Sequence, residues 1–95
     1  MTEQADFSLF LHLCQQAEGE GALTEMMDLL LTIEERRAIA GRCAIVQGLL
    51  QGELSQRDLA AELQVGIASI TRGSNGLKQV SPALRDFLQR ELVDG

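Results

Sequence analysis

A chain of 95 residues has room for one small domain, and three Phe with no Trp or Tyr give it little aromatic bulk for a core. The net charge of −6 excludes a uniformly basic nucleic-acid surface, while a hydrophobic fraction of 45% excludes a disordered acidic chain. No apolar run reaches the roughly 20 residues of a membrane span. The start, Met1-Thr2-Glu3-Gln4, lacks the basic residues of a secretory leader, so the chain is expected to work in the cytoplasm.

Residues 6–17 read as a first helix, with Phe7, Phe10, Leu11 and Cys14 on one face and Leu9 and Leu13 beside it. Gly19-Glu20-Gly21 punctuates it, and a second helix follows from about Ala22 to Leu30 on the spacing of Leu23, Met26, Met27 and Leu30. Thr32-Ile33-Glu34-Glu35 is a capping box that opens a third, longer helix with Ile39, Cys43, Val46 and Leu50 as its stripe. Gly52 stands where that helix should be capped. Ser55, with Asp58 three residues later, starts a fourth helix running to Leu63.

Gln64-Val65-Gly66 is a tight break, and a fifth helix runs from about Ile67 to Lys78. Ser81-Pro82 supplies an N-cap followed by proline at the first helical position, so a sixth helix covers about Pro82 to Val93. Its stripe is Leu84, Phe87, Leu88 and Leu92. The expected fold is all-α, a single helical domain over residues 1–95 with six helices. The helices at both ends carry more apolar surface than so small a monomer can hide, which points to interlocking with a second copy.

Charge is segregated along the chain. Residues 1–35 hold eight acids and no Lys or Arg, whereas residues 36–78 hold six bases against three acids. Phosphates respond to the local field within about 8–10 Å at physiological salt, so a locally basic segment can bind DNA despite an acidic total. Cys14 and Cys43 read as reduced thiols packed as small apolar groups. His12 and Cys14 are two apart and diverge on a helix, so no metal is expected. One His and the lack of a nucleophile–base constellation argue against an enzyme.

The fourth and fifth helices form a helix-turn-helix at about residues 55–78. Small Ala60 permits a close crossing, which Leu59, Leu63 and Ile70 can seal. The turn position that often holds glycine, four after Ala60, is Gln64 here. Glutamine tolerates a left-handed backbone poorly, so this turn is expected to depart from the usual geometry. The DNA-facing set comprises Gly66, Ile67, Ala68, Ser69 and Thr71 at the entrance of the fifth helix, with Gln56, Arg57, Asn75 and Lys78 placed to meet phosphates. No side chain at the helix start can make a bidentate contact to a base edge, leaving thymine methyls, water and DNA shape to carry specificity. On these residues alone, a helix pair that docks a protein partner is the alternative.

The run Gln56-Arg57-Asp58-Leu59, then Gly66-Ile67-Ala68-Ser69-Ile70-Thr71-Arg72-Gly73-Ser74-Asn75, resembles the tryptophan operon repressor family. Leu29-Leu30-Leu31-Thr32, Glu35-Arg36, Arg42, Ile45-Val46, Leu49-Leu50 and Pro82-Ala83-Leu84-Arg85 are similar at matching spacing. That family is itself a standard instance of helix-turn-helix docking and water-mediated base readout.

The resemblance implies an intertwined homodimer, joined through its N- and C-terminal helices, that binds L-tryptophan as corepressor and then a palindromic operator. It implies no other cofactor. Arg42 and Arg72 would sandwich the indole ring, Thr32 and Arg72 would hold the ligand carboxylate, and the carbonyls of Leu29 and Leu31 would receive its amino group. Ile45 and Gly73 complete the implied ligand set, Gly73 by leaving space beside the ring. Gly76 stands where the family commonly has a serine whose hydroxyl helps to bind the amino group. Ala60 likewise replaces a basic residue. A related repressor with another effector, or none, is the alternative that Gly76 and Gln64 support.

Overall fold

Asp6 sets the start of α1 (Phe7–Glu20): its carboxylate accepts from the Ser8 N–H at 2.9 Å. That hydrogen bond holds the Asp6 carboxyl below the ordinary carboxylate range. In the computed structural model, which describes residues 6–95, α1 outruns its expected end by three residues. Gly19 stays helical, and the left-handed cap falls on Gly21 (φ 71°), whose N–H donates back to Ala17 and Glu18. α2 (Leu23–Leu30) follows, and Leu31 is extended.

Thr32 caps α3 (Ile33–Gln51) as its sequence dictates. The Glu35 N–H donates to Thr32 Oγ1 at 3.1 Å, and the Thr32 N–H donates to Glu35 Oε1 at 2.8 Å. Arg36 and Asp28 form an exposed ion pair at 2.7 Å. The chain divides into two compact units, one ending at Arg36 and the other running from Arg37 to Gly95. In the first unit α1 packs against α2 and buries Ala17, while Phe7, Leu9, Leu11 and Leu13 remain exposed.

The second unit contains the rest of α3, then α4 (Gln56–Leu63), α5 (Ile67–Leu77) and α6 (Pro82–Gln89). Its core is Ile45, Leu59, Ala60 and fully buried Ile70, with Leu49, Leu63 and Val65 packed against them. Two glycines let α3 approach its neighbours. A Cβ at Gly48 would lie 2.5 Å from Leu59 Cδ1, and one at Gly73 would lie 2.9 Å from Ile45 Cγ2. Ser81 caps α6, its Oγ accepting from the Leu84 N–H at 3.1 Å, with Pro82 at the first turn.

The sixth helix differs from its expected form. It stays α-helical only to Gln89, and residues Arg90–Asp94 form a π-helical turn. The wider turn accompanies a tertiary bond: Gln47 Nε2 on α3 donates to the Leu92 carbonyl at 2.8 Å. All six α-helices expected from the sequence are present, and no strand occurs among the described residues.

Candidate effector cleft and DNA-facing helix

Ser55 fixes the start of α4, its Oγ accepting from the Asp58 N–H at 3.0 Å. The helix ends on Gln64, which adopts φ 59° and ψ 46°. The expected departure of this turn is therefore corrected: the left-handed position is kept, and glutamine occupies it. Hydrogen bonds offset the strain, with Gln64 N–H donating to Ala61 at 3.3 Å and Val65 N–H to Ala60 at 3.0 Å. Val65 then folds back onto the core, the apolar contact that commonly accompanies this cap.

That geometry delivers α5 with one face buried and one open. Ile70 and Leu77 point inward, whereas Gly66, Ile67, Ala68, Ser69, Thr71, Asn75 and Lys78 are all exposed, Ile67 by 51%. Gln56 and Arg57 are also exposed, in the first turn of α4. All nine residues of the DNA-facing set thus lie at the surface of one helix pair. No side chain caps the N-terminus of α5; the Ser69 N–H donates to the Gly66 carbonyl at 3.1 Å, which leaves the Ile67 and Ala68 amides to meet an anion. Among the described residues Arg57, Arg72 and Lys78 form no ion pair, which leaves their charge uncompensated by protein carboxylates.

Behind this surface α3 and α5 enclose a mainly apolar cleft of about 590 Å³. Arg42 and Ile45 enter it from α3, being one turn apart; Arg72, Gly73 and Gly76 enter it from α5. These five residues of the expected ligand set are therefore brought together. A flat apolar group would fit such walls, and the two guanidinium groups could stack on it or hold a carboxylate. Ser69, placed in the DNA-facing set, also lines the cleft.

Leu29, Leu31 and Thr32 belong to the first unit. Leu29 lies in the last turn of α2 and is 82% exposed, and Leu31 is half-buried in the connection. Thr32 Oγ1 accepts from Glu35, which leaves its own hydroxyl proton free to donate.

The cleft also has lining residues that the sequence reading missed, Val65, Val80 and Leu88. Leu88 was visible only as part of a helix stripe, and Val80 lies between helices where no periodicity can flag it. Gly73 acquires a packing reason, because any side chain there would strike Ile45. Gly76 differs: a Cβ there would meet nothing within 4 Å.

A helix pair closed by the Gln64 turn, whose second helix is exposed and carries no side-chain cap, with a cleft behind it, has the form of the helix-turn-helix found in DNA-binding regulators. The model of the Trp repressor protein family matches residues 5–92, and the chain belongs to that family. A Trp operon repressor homolog of Chlamydia trachomatis serovar D is 42% identical over 90 residues, covering 95% of this chain and 96% of the relative. The homolog from Vibrio cholerae serotype O1 is 46% identical over 84 residues, covering 85% and 82%. That from Histophilus somni strain 2336 is 41% identical over 83 residues, covering 87% and 78%. The protein is accordingly a transcriptional regulator of the Trp repressor type.

Proposed function

We propose that this chain is a cytoplasmic, tryptophan-dependent repressor that acts as a homodimer on a palindromic operator and blocks transcription of tryptophan-biosynthesis genes. The observation that carries this reading is the arrangement of Arg42 and Arg72, on two different helices, lining one apolar cleft directly behind the exposed face of α5. L-Tryptophan, the sole corepressor in this reading, places its indole between the two guanidinium groups, with Ile45 and Gly73 beside it. Thr32 and Arg72 hold its carboxylate, and the carbonyls of Leu29 and Leu31 take its amino group.

Filling the cleft props α5 against α3 and fixes the two reading heads of the dimer about one DNA turn apart. Gln56, Arg57, Asn75 and Lys78 then meet phosphates, while Gly66, Ile67, Ala68, Ser69 and Thr71 approach the base edges. The exposed apolar residues at the chain's ends, among them Phe7, Leu9, Leu84 and Phe87, supply the dimer contact. Ligand and DNA must favour the same arrangement, so each tightens the other's binding, typically by about 1–3 kcal/mol.

Calorimetric titration with L-tryptophan, followed by titration of the loaded protein with DNA selected from a random pool, tests the reading. Tryptophan-dependent DNA binding that disappears in Arg72→Ala supports it; a variant that responds like the wild type removes the clamp. A second reading, in which a different effector fills the same cleft, is favoured by one observation: the empty space beside Gly76. A panel of amino acids in the same calorimeter separates the two readings.

A further inference from the structure

The two walls of the cleft, α3 and α5, are joined by more than their own contact. Arg85 on α6 donates through Nη1 to the carbonyl of Leu77, the last residue of α5, at 3.2 Å in a part-buried setting. At the other end of the same C-terminal segment, Gln47 on α3 donates to the carbonyl of Leu92 in the π-helical turn at 2.8 Å. Between these two ties, Leu88 of α6 lines the cleft, as does Val80 just before it. One bond therefore holds the segment to the Arg72 helix and the other holds it to the Arg42 helix.

We infer that α6 and its π-helical turn act as a strap across the cleft, with Arg85 and Gln47 as positioning residues that set the spacing between Arg42 and Arg72. Both bonds run from a side chain to a main-chain carbonyl at a helix end, where no intrahelical donor competes for that oxygen. Moving α5 away from α3 must stretch one tie or the other. The strap thus limits how far α5 can move from α3, so a ligand has fewer arrangements to select among on binding. The π-helical geometry has a place in this arrangement, since it presents the Leu92 carbonyl to Gln47. The inference rests on the proposed effector site for its functional consequence, but not for its geometry.

The test uses the full chain with Gln47→Glu, Arg85→Ala and Arg85→Lys. Gln47→Glu is isosteric and lies at an exposed position; it replaces the amide donor with a carboxylate that the Leu92 carbonyl repels, so it opens this tie while keeping the fold even where Arg85→Ala is less stable. In the ligand-free protein the nuclear Overhauser effect between the Ile45 γ2 methyl and the Gly73 α protons reports how closely α3 and α5 approach. The strap predicts a clear weakening of that signal in Gln47→Glu and in Arg85→Ala, with recovery in Arg85→Lys, whose ammonium can still reach the carbonyl. L-Tryptophan affinity should fall by about threefold to tenfold in the same two variants, the scale of one lost hydrogen bond. A folded Gln47→Glu or Arg85→Ala that keeps the wild-type signal overturns the strap. If the wild-type chain takes up no tryptophan, the effector assignment fails, while the spectroscopic comparison still decides the strap.

Discussion

Gly73 on α5 faces Ile45 on α3 so closely that a Cβ on the glycine would stand 2.9 Å from the isoleucine's γ2 methyl. That methyl is on a β-branched carbon and cannot swing away as the end of a long side chain could. Gly73→Ala gains about 1 kcal/mol of helix propensity but incurs overpacking of about 1–3 kcal/mol. A net loss on the order of 1 kcal/mol is expected in urea unfolding at fixed protein concentration. A variant as stable as the wild type would mean that the two helices separate freely.

Gln64→Gly should have the opposite sign. A non-glycine residue in the left-handed region costs about 1–2 kcal/mol, and glycine escapes most of that while losing some to its greater freedom when unfolded. Gln64 is exposed, so the substitution empties no core space. Stabilisation by about 1 kcal/mol is expected, with DNA affinity unaltered. Unfolding curves and a DNA titration on the same preparation check both halves.

Gly76→Ser should be accepted without strain, because the space over its α-carbon is open and belongs to the cleft rim. If tryptophan is the effector, the added hydroxyl gives its amino group a partner, and affinity should rise by up to about tenfold. Calorimetry of the two proteins side by side is sufficient. Unchanged affinity would place the amino group elsewhere.

Arg57→Ala and Lys78→Ala should weaken binding to all DNA sequences alike and lower the slope of log affinity against log salt by about 1 each. Thr71→Val, which removes a hydroxyl from the exposed face of α5, should instead change which sequences are preferred. Salt titrations on selected and scrambled duplexes distinguish the two effects. A loss confined to the selected duplex in Arg57→Ala would move that arginine from phosphate to base.

Thr32, Ser55 and Ser81 were legible in the sequence because capping is local: donor and acceptor lie three residues apart, whatever the rest of the chain does. Ile70 and Leu59 were legible as a seal because helical periodicity assigns them an inward face. What the sequence hid depends on partners distant along the chain. The π-helical turn goes with a bond over 45 positions, from Gln47 to Leu92, and no local pattern encodes that. The left-handed turn at Gln64 is hidden in the same way, because two closing hydrogen bonds and the Val65 contact outweigh the residue's intrinsic preference. The clamp arginines rested on family resemblance alone, since charge and spacing cannot distinguish a cleft-lining arginine from a solvated one. Gly73 has a second reason that the sequence alone could not display, since the Ile45 methyl group on a distant helix leaves no room for a side chain there.

The exposed face of α5 is built from short side chains, Ala68, Ser69 and Thr71, beside a stiff β-branched Ile67. Such a surface has almost no rotamer freedom to surrender when it docks, unlike one made of arginine or glutamine. In the proposed reading, recognition rests on rearranged solvent and on the stiffness of the DNA itself. Its sequence preference should therefore respond to osmotic stress and to temperature more strongly than that of a long-armed reader, and operators would diverge through their own flexibility while the protein's reading residues stay fixed.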